Sequence, residues 1–362
     1  MNIRRATISD VARVAGVAPS TASVVFSGKT PVSDLTRRKV LEAAEELGYT
    51  GPDPRAASLR RGRSGIVAVV FEGPLGSAFL DPVQRLMMDG LSEAVAPLGA
   101  GLLLLHDPVE SGEADASAPT LTTAPIDAAV LIGCSPVLRE SLEAVQARGI
   151  PVVVIEGDAG EGIPRIALDN REAQRQAAEH LRALGHEDVA IVTLSRDKRR
   201  EPGWISAGDD ITVDVTRDRL AGARDVYPDA PAFSSSASTI DGGMAAARIV
   251  LGTAGPRPTA VIAQSDLLAA GVVRAAEELG LRVPEDLSVT GFDGVPVDGL
   301  APYVLTTLVQ PATEKGRAAG AVIAAMLDER EPTSLRFECE FRVGNTTAPA
   351  SGASSGSRAD GP

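Results

Sequence analysis

Two short helices joined by a glycine turn are predicted near the start of the chain, and they constrain the fold more than any other feature. Residues 7–26 read TISDVARVAGVAPSTASVVF. Ser9 is predicted to cap the first helix, Gly16 permits a sharp turn, and Pro19 suits the first position of the second helix. The residues predicted to face inward are Val11, Ala12, Val14 and Ala15 of the first helix and Thr21, Ala22 and Val25 of the second. Chains that bind DNA commonly use this arrangement.

The outward face of the second helix carries small side chains that fit a DNA major groove. It consists of Pro19, Ser20, Ser23, Val24 and Ser27. Hydroxyl groups can bond base edges or phosphates, and a valine can contact a thymine methyl group. The alternative is a helical hairpin inside an ordinary domain. The residues that follow favour the DNA-binding interpretation.

A third helix is predicted to open at Val32-Ser33 and to run through Leu47. Ser33 is a good N-cap, and Gly48 is well suited to end the helix. Apolar residues return along it at helical spacing, at Leu35, Val40, Ala43, Ala44 and Leu47. The basic run at residues 37–39 lies near the helix start, where the dipole disfavours cations. These residues are therefore either a solvated face or contacts to phosphate groups.

A proline-punctuated linker follows at residues 51–62, with the sequence GPDPRAASLRRG. A short helix is predicted within it from Arg55 to Arg60. Leu59 is its prominent apolar residue.

These first sixty residues resemble the DNA-binding headpiece of the lactose-repressor (LacI/GalR) family of bacterial transcription regulators. The matching residues are Thr7-Ile8, Asp10-Val11-Ala12, Ala15-Gly16-Val17, Ser20-Thr21, Ser23, Val32-Ser33, Thr36-Arg37, Val40, Ala43-Ala44, Leu47-Gly48-Tyr49 and Ser58-Leu59. So many matches in order, over about fifty residues, are far more specific than a generic helix-turn-helix pattern.

The resemblance implies that the second helix reads the major groove, and that the linker becomes a hinge helix when two subunits sit on a palindromic operator. Leu59 matches a leucine that wedges into the minor groove, where unstacking a base step costs roughly a few kcal/mol and the bent DNA allows further contacts. The predicted DNA-binding residues are Thr7, Ser9, Pro19, Ser20, Thr21, Ser23, Val24, Ser27, Lys29, Val32, Arg37, Arg55, Ser58 and Leu59.

The chain departs from the family pattern at three places. Ala18 stands where a capping serine is common, Val24 stands where an arginine is frequent, and the linker from Tyr49 to Leu59 is one residue longer. The DNA-binding prediction survives these departures. The base specificity of better-known members does not transfer, because small side chains contact bases differently from an aromatic residue, a glutamine or an arginine.

Charge is divided unevenly along the chain. Up to Arg63, eleven basic residues stand against six acidic ones, a net charge of +5, whereas the whole chain carries −13, so the remainder carries −18. A basic head suits phosphate binding with strong salt dependence, and an acidic body repels DNA. The net charge of the whole chain alone would not indicate DNA binding, because the acidic remainder outweighs the basic first 63 residues.

Length and composition narrow the class of protein further. The 362 residues suffice for two or three domains. No apolar run reaches the roughly eighteen residues of a membrane span, and no signal-peptide core is evident, so a cytoplasmic protein is expected. Cys134 and Cys339 are too few and too far apart for a disulfide framework, and both are predicted to be buried free thiols.

The rest of the chain alternates short apolar runs with helical stretches, which is typical of parallel sheets covered on both faces. The predicted strands are 66–71, 101–106, 128–132, 151–155, 189–194, 260–263 and 288–291, and the predicted helices are 82–97, 138–148, 171–184, 242–251 and 266–279. Two such units form two α/β lobes. Ligands are expected at the carboxyl ends of the strands, in the cleft between the lobes.

The family's effector domain, which is related to periplasmic sugar-binding proteins, has this architecture, and the resemblance extends to about Asn345. Its markers include Asp169-Asn170, Leu184-Gly185-His186, Ser265-Asp266, Gly291-Phe292-Asp293 and Thr306-Thr307. The predicted fold is thus a small all-α helix-turn-helix headpiece (1–51), a linker and hinge helix (52–63), and a two-lobed, periplasmic-binding-protein-like α/β domain with two parallel-sheet subdomains (64–347). Lobe one is predicted at 64–165 and 294–312, lobe two at 166–293 and 313–347, and a disordered tail at 348–362.

The resemblance also implies an effector site. Arg219 matches a family arginine that grips ligand hydroxyls, and Asp293 matches a cleft acid. Asp266, after Ser265, is a further candidate, although it can instead cap the next helix. An arginine with carboxylates bonds vicinal hydroxyls well, and a plain ion pair between the lobes is the alternative. Phe79 stands where the family often has an aromatic residue near the ligand ring, and a core position is its alternative.

A stacking aromatic is missing from the predicted site. Where relatives carry one, this chain has Ser238, with Phe233 as the substitute if the alignment slips, and the whole chain has only eleven aromatic residues. Without a ring to stack on, a pyranose effector loses its best physical support.

No enzymatic pattern competes with this interpretation. Gly99-Ala100-Gly101 lacks the third glycine of a dinucleotide loop, the three histidines lack metal-ligand spacing, and no serine or cysteine lies in a nucleophile elbow. His180 and His186 bracket a helix end and are expected to cap or pack. The sequence predicts a non-enzymatic homodimer, or a tetramer, that represses transcription under control of a small-molecule effector such as a sugar or related polyhydroxy metabolite. A solute-binding protein of the same two-lobed fold is the alternative.

Overall fold

The computed structural model describes residues 6–27, 30–51, 62–73, 75–107, 118–133, 138–157, 160–252 and 256–350. Its internal contacts divide the chain into two units, 1–65 and 66–362. Within the described ranges, no helix combines the length and apolarity needed to cross a bilayer.

The first unit contains three helices around one small core. They are α1 (Ile8–Ala15), α2 (Pro19–Ser27) and α3 (Asp34–Glu46). The buried core is formed by Val11, Ala12, Ala22, Val25, Val40, Ala43 and Ala44. Gly16 adopts the left-handed conformation, with φ 68°, which allows the turn between α1 and α2. The predicted helix-turn-helix is confirmed, with Pro19 at its predicted place.

Helix α1 begins at a different cap from the predicted one. Thr7, not Ser9, is the N-cap: its hydroxyl accepts the Asp10 N–H at 3.3 Å, and the Asp10 carboxylate accepts the Thr7 N–H at 3.0 Å. This reciprocal capping box needs an acid three residues after the cap, a condition that Thr7 meets with Asp10. Ser9 lies within the first turn instead. Val14 was expected to face inward and is 41% exposed.

The first lobe of the second unit is built on a parallel sheet. Its described strands are β1 (Ile66–Glu72), β2 (Gly101–Asp107), β3 (Ala128–Ile132), β4 (Val152–Ile155), β5 (Arg165–Leu168) and β12 (Leu335–Phe337), in the order β12-β5-β4-β3-β1-β2. The helices are α4 (Leu75–Leu80), α5 (Pro82–Val95), α6 (Ala118–Thr123), α7 (Leu138–Ala147) and α12 (Ala312–Leu327), with a 3₁₀ turn at Ala96–Leu98. The four strands predicted in this half of the chain are confirmed.

The second lobe has a sheet of five described strands. They are β6 (Val189–Thr193), β7 (Gly203–Trp204), β8 (Ala232–Ser234), β9 (Ala260–Ala263) and β10 (Ser288–Thr290), in the order β10-β9-β6-β8-β7, with only β7 antiparallel to its neighbour. The helices are α8 (Asn170–Ala183), α9 (Asp214–Arg224), α10 (Ile240–Leu251) and α11 (Asp266–Glu278). A two-stranded antiparallel sheet of β11 (Thr307–Val309) and β13 (Glu340–Arg342) adjoins it through bridges to Thr290 and Asp293.

The predicted division of the C-terminal third between the lobes is wrong around Leu300 and for α12 and β12. It is correct for Thr346, whose hydroxyl donates to the Val289 carbonyl of the second lobe. Residues 294–312 are predicted in lobe one, but Leu300 and Leu305 are buried in the core of the second lobe. Residues 313–347 were assigned to lobe two, yet Ala319 and Ile323 of α12 belong to the core of the first lobe, and β12 pairs with β5. Hydrophobic contacts decide the placement, because α12 buries its apolar face against α5.

Helices α5 and α12 touch backbone to backbone through glycines. A Cβ on Gly316 would lie 2.0 Å from the carbonyl oxygen of Met87, and one on Gly90 would lie 2.0 Å from that of Thr313. Neither backbone can move away without separating the two helices. These glycines therefore set the distance between the helices.

Replacing Gly316 by alanine is expected to destabilise the protein by about 1–3 kcal/mol, because overpacking outweighs the better helix propensity of alanine. Urea denaturation measures the change. Gly76→Ala is the control, since a Cβ at that helical glycine meets nothing within 4 Å. Equal stability of the two variants would contradict the close approach.

The last described residues are bound to the second lobe rather than loose. The carbonyl of Ala348 accepts a hydrogen bond from His186 Nε2 at 2.9 Å, and the Ala350 N–H donates to the carbonyl of Leu184 at 2.9 Å. The predicted disordered tail therefore cannot begin at residue 348, and residues 351–362 lie outside the described part. His186 also contacts Thr259, and His180 contacts Thr347, so both histidines pack as expected.

Candidate functional site

A cavity of about 210 Å³ lies between the two lobes of the second unit. Most of its lining follows strand carboxyl ends: Glu72 ends β1, Glu156 follows β4, Ser195 follows β6 and Ser265 follows β9. Parallel strands bring these ends to one edge of each sheet. The lining residues are Glu72, Asp81, Val83, Gln84, Met87, Ile132, Gly133, Glu156, Leu194, Ser195, Arg200, Val213, Val215, Arg219, Ser238, Ser265, Asp293, Gln310 and Lys315.

A closed ring of buried side chains crosses the cavity wall, and we call it the cleft ring. Its members are Glu156, Asn170, Arg219, Asp293, Gln310 and Lys315. Lys315 Nζ donates to Glu156 Oε1 at 2.5 Å and to Gln310 Oε1 at 2.6 Å. Gln310 Nε2 donates to Asp293 Oδ1 at 2.7 Å. One half of the ring therefore links the first lobe to Asp293.

Arg219 completes the other half of the cleft ring. Its Nη1 lies 3.6 Å from Asp293 Oδ1, and its Nε donates to Asn170 Oδ1 at 2.9 Å. The amide of Asn170 then donates to Glu156 Oε2 at 3.0 Å. Glu156 and Lys315 come from the first lobe and Arg219 and Asn170 from the second, so the ring joins the lobes.

Further contacts hold the Arg219 guanidinium in place. It donates to the carbonyl of Gln264 at 2.5 Å and lies over the ring of Phe292, with 3.5 Å from its carbon to the ring centroid. The side chain is 5% exposed. A buried arginine held from several directions is fixed before any ligand arrives, which lowers the entropic cost of binding.

Burial and charge shift the carboxyl groups of the cleft in different directions. Burial by itself raises the pKa of Glu156, but Lys315, Arg219 and Asn170 together outweigh it, and the pKa is lowered overall. Burial raises the pKa of Asp293 to about 8, with Asp266 and Asp81 adding to the rise and Arg219 opposing it. At neutral pH Asp293 is therefore largely protonated, whereas Glu156 is ionised.

The structure brings together three of the five predicted effector residues. Arg219, Ser265 and Asp293 line the cavity. Asp266 does not: its buried carboxylate accepts the Val295 N–H at 2.8 Å and the Thr307 hydroxyl at 2.6 Å. Burial also raises the pKa of Asp266 to about 6. Its hydrogen bonds fix the loop after β10, so Asp266 supports the cavity wall without lining the cavity.

Phe79 lies on α4, outside the cavity, with 61% of its surface exposed. Phe79 therefore neither contacts the cavity nor lies in the core, the two positions that the sequence predicted for it. Phe233 is buried in the core, 5.3 Å from Trp204 between ring centroids. Ser238 does line the cavity and donates to the Ser265 hydroxyl at 2.9 Å. Among the described residues of the lining, none is aromatic.

Sequence inspection missed Glu156, Gln310, Lys315 and Arg200 as site residues. Lys315 stands close to Glu314 and Arg317 in its helix, so no local pattern distinguishes it from a surface lysine, yet it is 1% exposed. Glu156 directly follows a predicted strand and has a positive φ of 56°, which no sequence pattern reveals.

Over the described residues, no cluster of histidine, cysteine and acidic side chains could hold a metal ion. Cys339 is a half-buried free thiol whose pKa is raised to about 12 by burial, and Cys134 is outside the described part.

In the first unit, the predicted DNA-binding residues differ in accessibility. Pro19, Ser20 and Arg37 are exposed, and Thr21, Ser23, Val24 and Val32 are half-buried. Thr7 and Ser9 are exposed, but the Thr7 hydroxyl also donates to the Asp10 carboxylate at 2.7 Å. The side chain of Ser27 and residues Lys29, Arg55, Ser58 and Leu59 lie outside the described residues. The hinge helix is therefore not described by the structure.

Known proteins match both units. Residues 7–51 match the model for bacterial regulatory proteins of the lacI family. An HTH-type transcriptional regulator of Mycobacterium tuberculosis, Rv3575c, is 32% identical over 356 residues, covering 96% of this chain and 98% of the relative. The chain belongs to the lacI family. Another relative, the HTH-type transcriptional regulator IpsA of Corynebacterium glutamicum, is 31% identical over 95% of this chain and 98% of its own length.

The second unit of this lacI-family protein has the fold of the family's effector domain. Residues 178–347 match the periplasmic binding protein-like domain. A solved complex of the transcriptional regulator CelR with cellobiose is 25% identical, with a TM-score of 0.63, and covers 94% of this chain and 100% of its own. The lac repressor dimer bound to operator shares the fold, with a TM-score of 0.75 at 21% identity, covering 95% and 100%. The predicted fold class is confirmed, and the chain is a DNA-binding transcription regulator.

Proposed function

We propose that this regulator is a homodimeric repressor whose affinity for a palindromic operator is controlled by a small polyhydroxy molecule in the cleft. The cavity carries the proposal, because Arg219, Asp293, Ser238 and Ser265 offer donors and acceptors from one wall of a space between two lobes. Charged and hydroxyl groups in a site that excludes water bind hydroxylated ligands well.

An unsatisfied acceptor supports the same assignment. The buried Oε1 of Gln84, which lines the cavity, has no hydrogen-bond partner among the described residues. Such a group costs about 1–3 kcal/mol to leave unpaired, so a ligand hydroxyl that donates to it would be favoured. The absence of an aromatic wall argues for a compact polyol rather than a ligand that needs stacking.

The relatives are consistent with this class of effector. A ribose operon repressor of Halalkalibacterium halodurans is 27% identical over 93% of this chain and 95% of its own length. CelR was solved with cellobiose. Ribose and cellobiose are associated with those proteins, so sugars are the first compounds to test with this one.

Control of DNA binding requires that the ligand bind one arrangement of the lobes better than the other. The cleft ring can couple the ligand to the lobes, because a ligand that bonds Arg219 and Asp293 must share or break the contacts by which the ring joins them. A changed angle between the lobes would alter the spacing of the two hinge segments in a dimer. The headpieces would then bind inverted half-sites with a different affinity.

Selection of bound DNA from a random pool tests the proposal directly. We expect enrichment of an inverted repeat, and we expect one of a panel of sugars, polyols and nucleosides to change the affinity of the purified protein for it. Steep salt dependence is expected for the basic headpiece. A pool without enrichment, or turnover of a bound compound, would contradict the proposal.

Leu59→Ala is expected to weaken operator binding by about 10- to 100-fold, because the wedge that stabilises the bent duplex is lost. Non-specific binding should change little, since it depends on phosphate contacts. Fluorescence anisotropy on operator and scrambled DNA measures both. Leu35→Ala is the control, because that leucine is 65% exposed in the headpiece and is not among the predicted DNA-binding residues. Equal losses on both DNAs would rule out the wedge.

A further inference from the structure

Arg200 enters the cleft from a loop that neither the family resemblance nor the cleft ring accounts for. The loop joins β6 to β7. The Asp197 carboxylate accepts the N–H groups of Arg199 at 2.9 Å and Arg200 at 3.2 Å, and Arg200 has a φ of 54°. A non-glycine residue in the left-handed region is uncommon and is held there by its surroundings. The turn therefore sets the direction of the Arg200 side chain.

The Arg200 guanidinium lies against the backbone of the opposite lobe. It lines the cavity together with Glu72, and a Cβ on Gly73 would lie 2.8 Å from its Nη2. Gly73 follows β1 and has a φ of 92°. A glycine at this position leaves room for the guanidinium. A cation of the second lobe thus sits at the carboxyl end of a first-lobe strand.

The Arg200 side chain has no polar partner among the described residues, unlike the two other cations in the cavity. Arg219 donates hydrogen bonds to Asn170 and to the carbonyl of Gln264, and Lys315 donates to Glu156 and Gln310. Among the described residues, the Arg200 side chain makes no ion pair and no hydrogen bond, and only its backbone N–H is bonded. A partly desolvated cation without a partner is unfavourable until an anion reaches it.

The carboxylates of the lining do not supply that anion. Glu156 is bonded by Lys315 and Asn170, and Asp81 caps α5 by accepting the N–H groups of Val83 at 2.8 Å and Gln84 at 3.3 Å. Asp293 is largely protonated near neutral pH because burial raises its pKa to about 8. Glu72, on the same side of the cavity, forms no ion pair with Arg200 within the described residues. None of these carboxylates therefore pairs with Arg200 among the described residues.

We infer that the effector carries an anionic group, a phosphate or a carboxylate, which Arg200 binds while the hydroxyl groups of the effector face Arg219, Ser238 and Ser265. The planar guanidinium matches either anion through two parallel hydrogen bonds. The ligand would be a sugar phosphate or a sugar acid, and its anion would bridge the lobes by meeting Arg200 beside Gly73. This inference rests on the proposed effector function of the cleft.

Matched compounds test the inference by isothermal titration calorimetry on the full-length protein. The sets are glucose, glucose 6-phosphate and gluconate, then ribose and ribose 5-phosphate, then fructose and fructose 1-phosphate. In at least one set we expect the anionic member to bind about 10- to 100-fold more tightly than its neutral partner, the range expected for a charge-assisted pair. Preference for the phosphate over the acid, or the reverse, identifies the anion.

Variants of the loop identify the residue responsible. Arg200→Gln should abolish the preference for the anion, and Arg200→Lys should keep part of it because it retains the charge. Arg199→Gln is the matched control, since it removes the same charge from the neighbouring exposed position, which does not line the cavity. It should leave the preference intact.

Two results would overturn the inference. If a neutral member binds as tightly as its anionic partner and Arg200→Gln changes nothing, the effector is uncharged and the proposed function of the cleft still stands. If no member of any set binds, the inference fails as well. The random-pool selection with the wider ligand panel then decides independently whether the protein is effector-controlled at all.

Discussion

Replacing Lys315 by methionine is expected to lower the free energy of unfolding by about 3–5 kcal/mol, the range for removing one partner of a buried ion pair. The ammonium is 1% exposed and bonds both Glu156 and Gln310. Its removal leaves a buried carboxylate without a cation and an amide oxygen without a donor. Urea denaturation at neutral pH measures the loss. Lys198→Met, on an exposed loop, is the control and should change stability little.

The loss should depend on pH in a defined direction. In the wild type the pKa of Glu156 lies below its ordinary value, so this carboxylate stabilises the fold above that ordinary value and the contribution disappears as the pH falls through the lowered pKa. In Lys315→Met the ammonium is lost, and burial, the largest influence, is opposed only by Arg219 and Asn170, so we expect the pKa of Glu156 to rise. The variant then loses stability as the pH rises, so its deficit should grow between pH 5 and pH 8.

A double variant separates the pair from the packing. Glu156→Gln with Lys315→Met removes both charges, and it should recover much of the loss because neither member of the pair is left as an unpaired buried ion. If Lys315→Met is as stable as the wild type, or if the double variant is less stable than Lys315→Met, the ion pair does not contribute to the free energy of unfolding in the way proposed.

Arg219→Ala should abolish the response to effector while leaving operator binding intact. We expect the affinity for the effector to fall by about 100-fold or more, because hydrogen bonds to charged groups contribute about 1.5–3 kcal/mol each. The variant should still fold, since Asp293 is largely protonated at neutral pH and is not left as a buried charge. Operator binding is measured by fluorescence anisotropy with and without the compound found in the ligand panel, and folding by thermal denaturation.

Arg217→Ala is the matched control for this experiment. It lies two residues earlier on α9, is half-exposed, and pairs with Asp214 at 2.7 Å outside the effector cavity. It should keep the effector response. If Arg219→Ala loses both operator binding and response, or neither, Arg219 is a structural ion-pair residue and does not bind the effector.

Local pattern predicted the headpiece and most of the sheets, because short apolar runs and helix signals are local properties. Pro19, Gly16 and Ser33 were correctly placed for this reason. The cap of α1 was not, since both Thr7 and Ser9 are acceptable caps and only the pairing of Thr7 with Asp10 distinguishes them. Six described strands were not predicted, because each has only two to four residues and gives no periodic signal: β5, β7, β8, β11, β12 and β13.

The site was harder to predict because its residues meet only in three dimensions. Asp266 and Asp293 both follow strands of the second lobe, yet one carboxylate turns to Val295 and Thr307 and the other faces the cavity. Lys315 looks like any surface lysine in its own sequence context. The lobe to which α12 belongs depends on the fit of Gly316 against Met87, which is a tertiary contact.

The path of the chain between the lobes affects the order in which the protein can form during synthesis. The first lobe begins at β1, but its sheet is completed by β12 at Leu335–Phe337, after nearly all of the second lobe has left the ribosome. Until then β5 has an unpaired edge and α5 lacks the helix that covers it. The first lobe to be translated is therefore among the last parts to be finished. A ribosome that stalls before residue 337 would leave a nascent chain with exposed apolar surface, a target for chaperones.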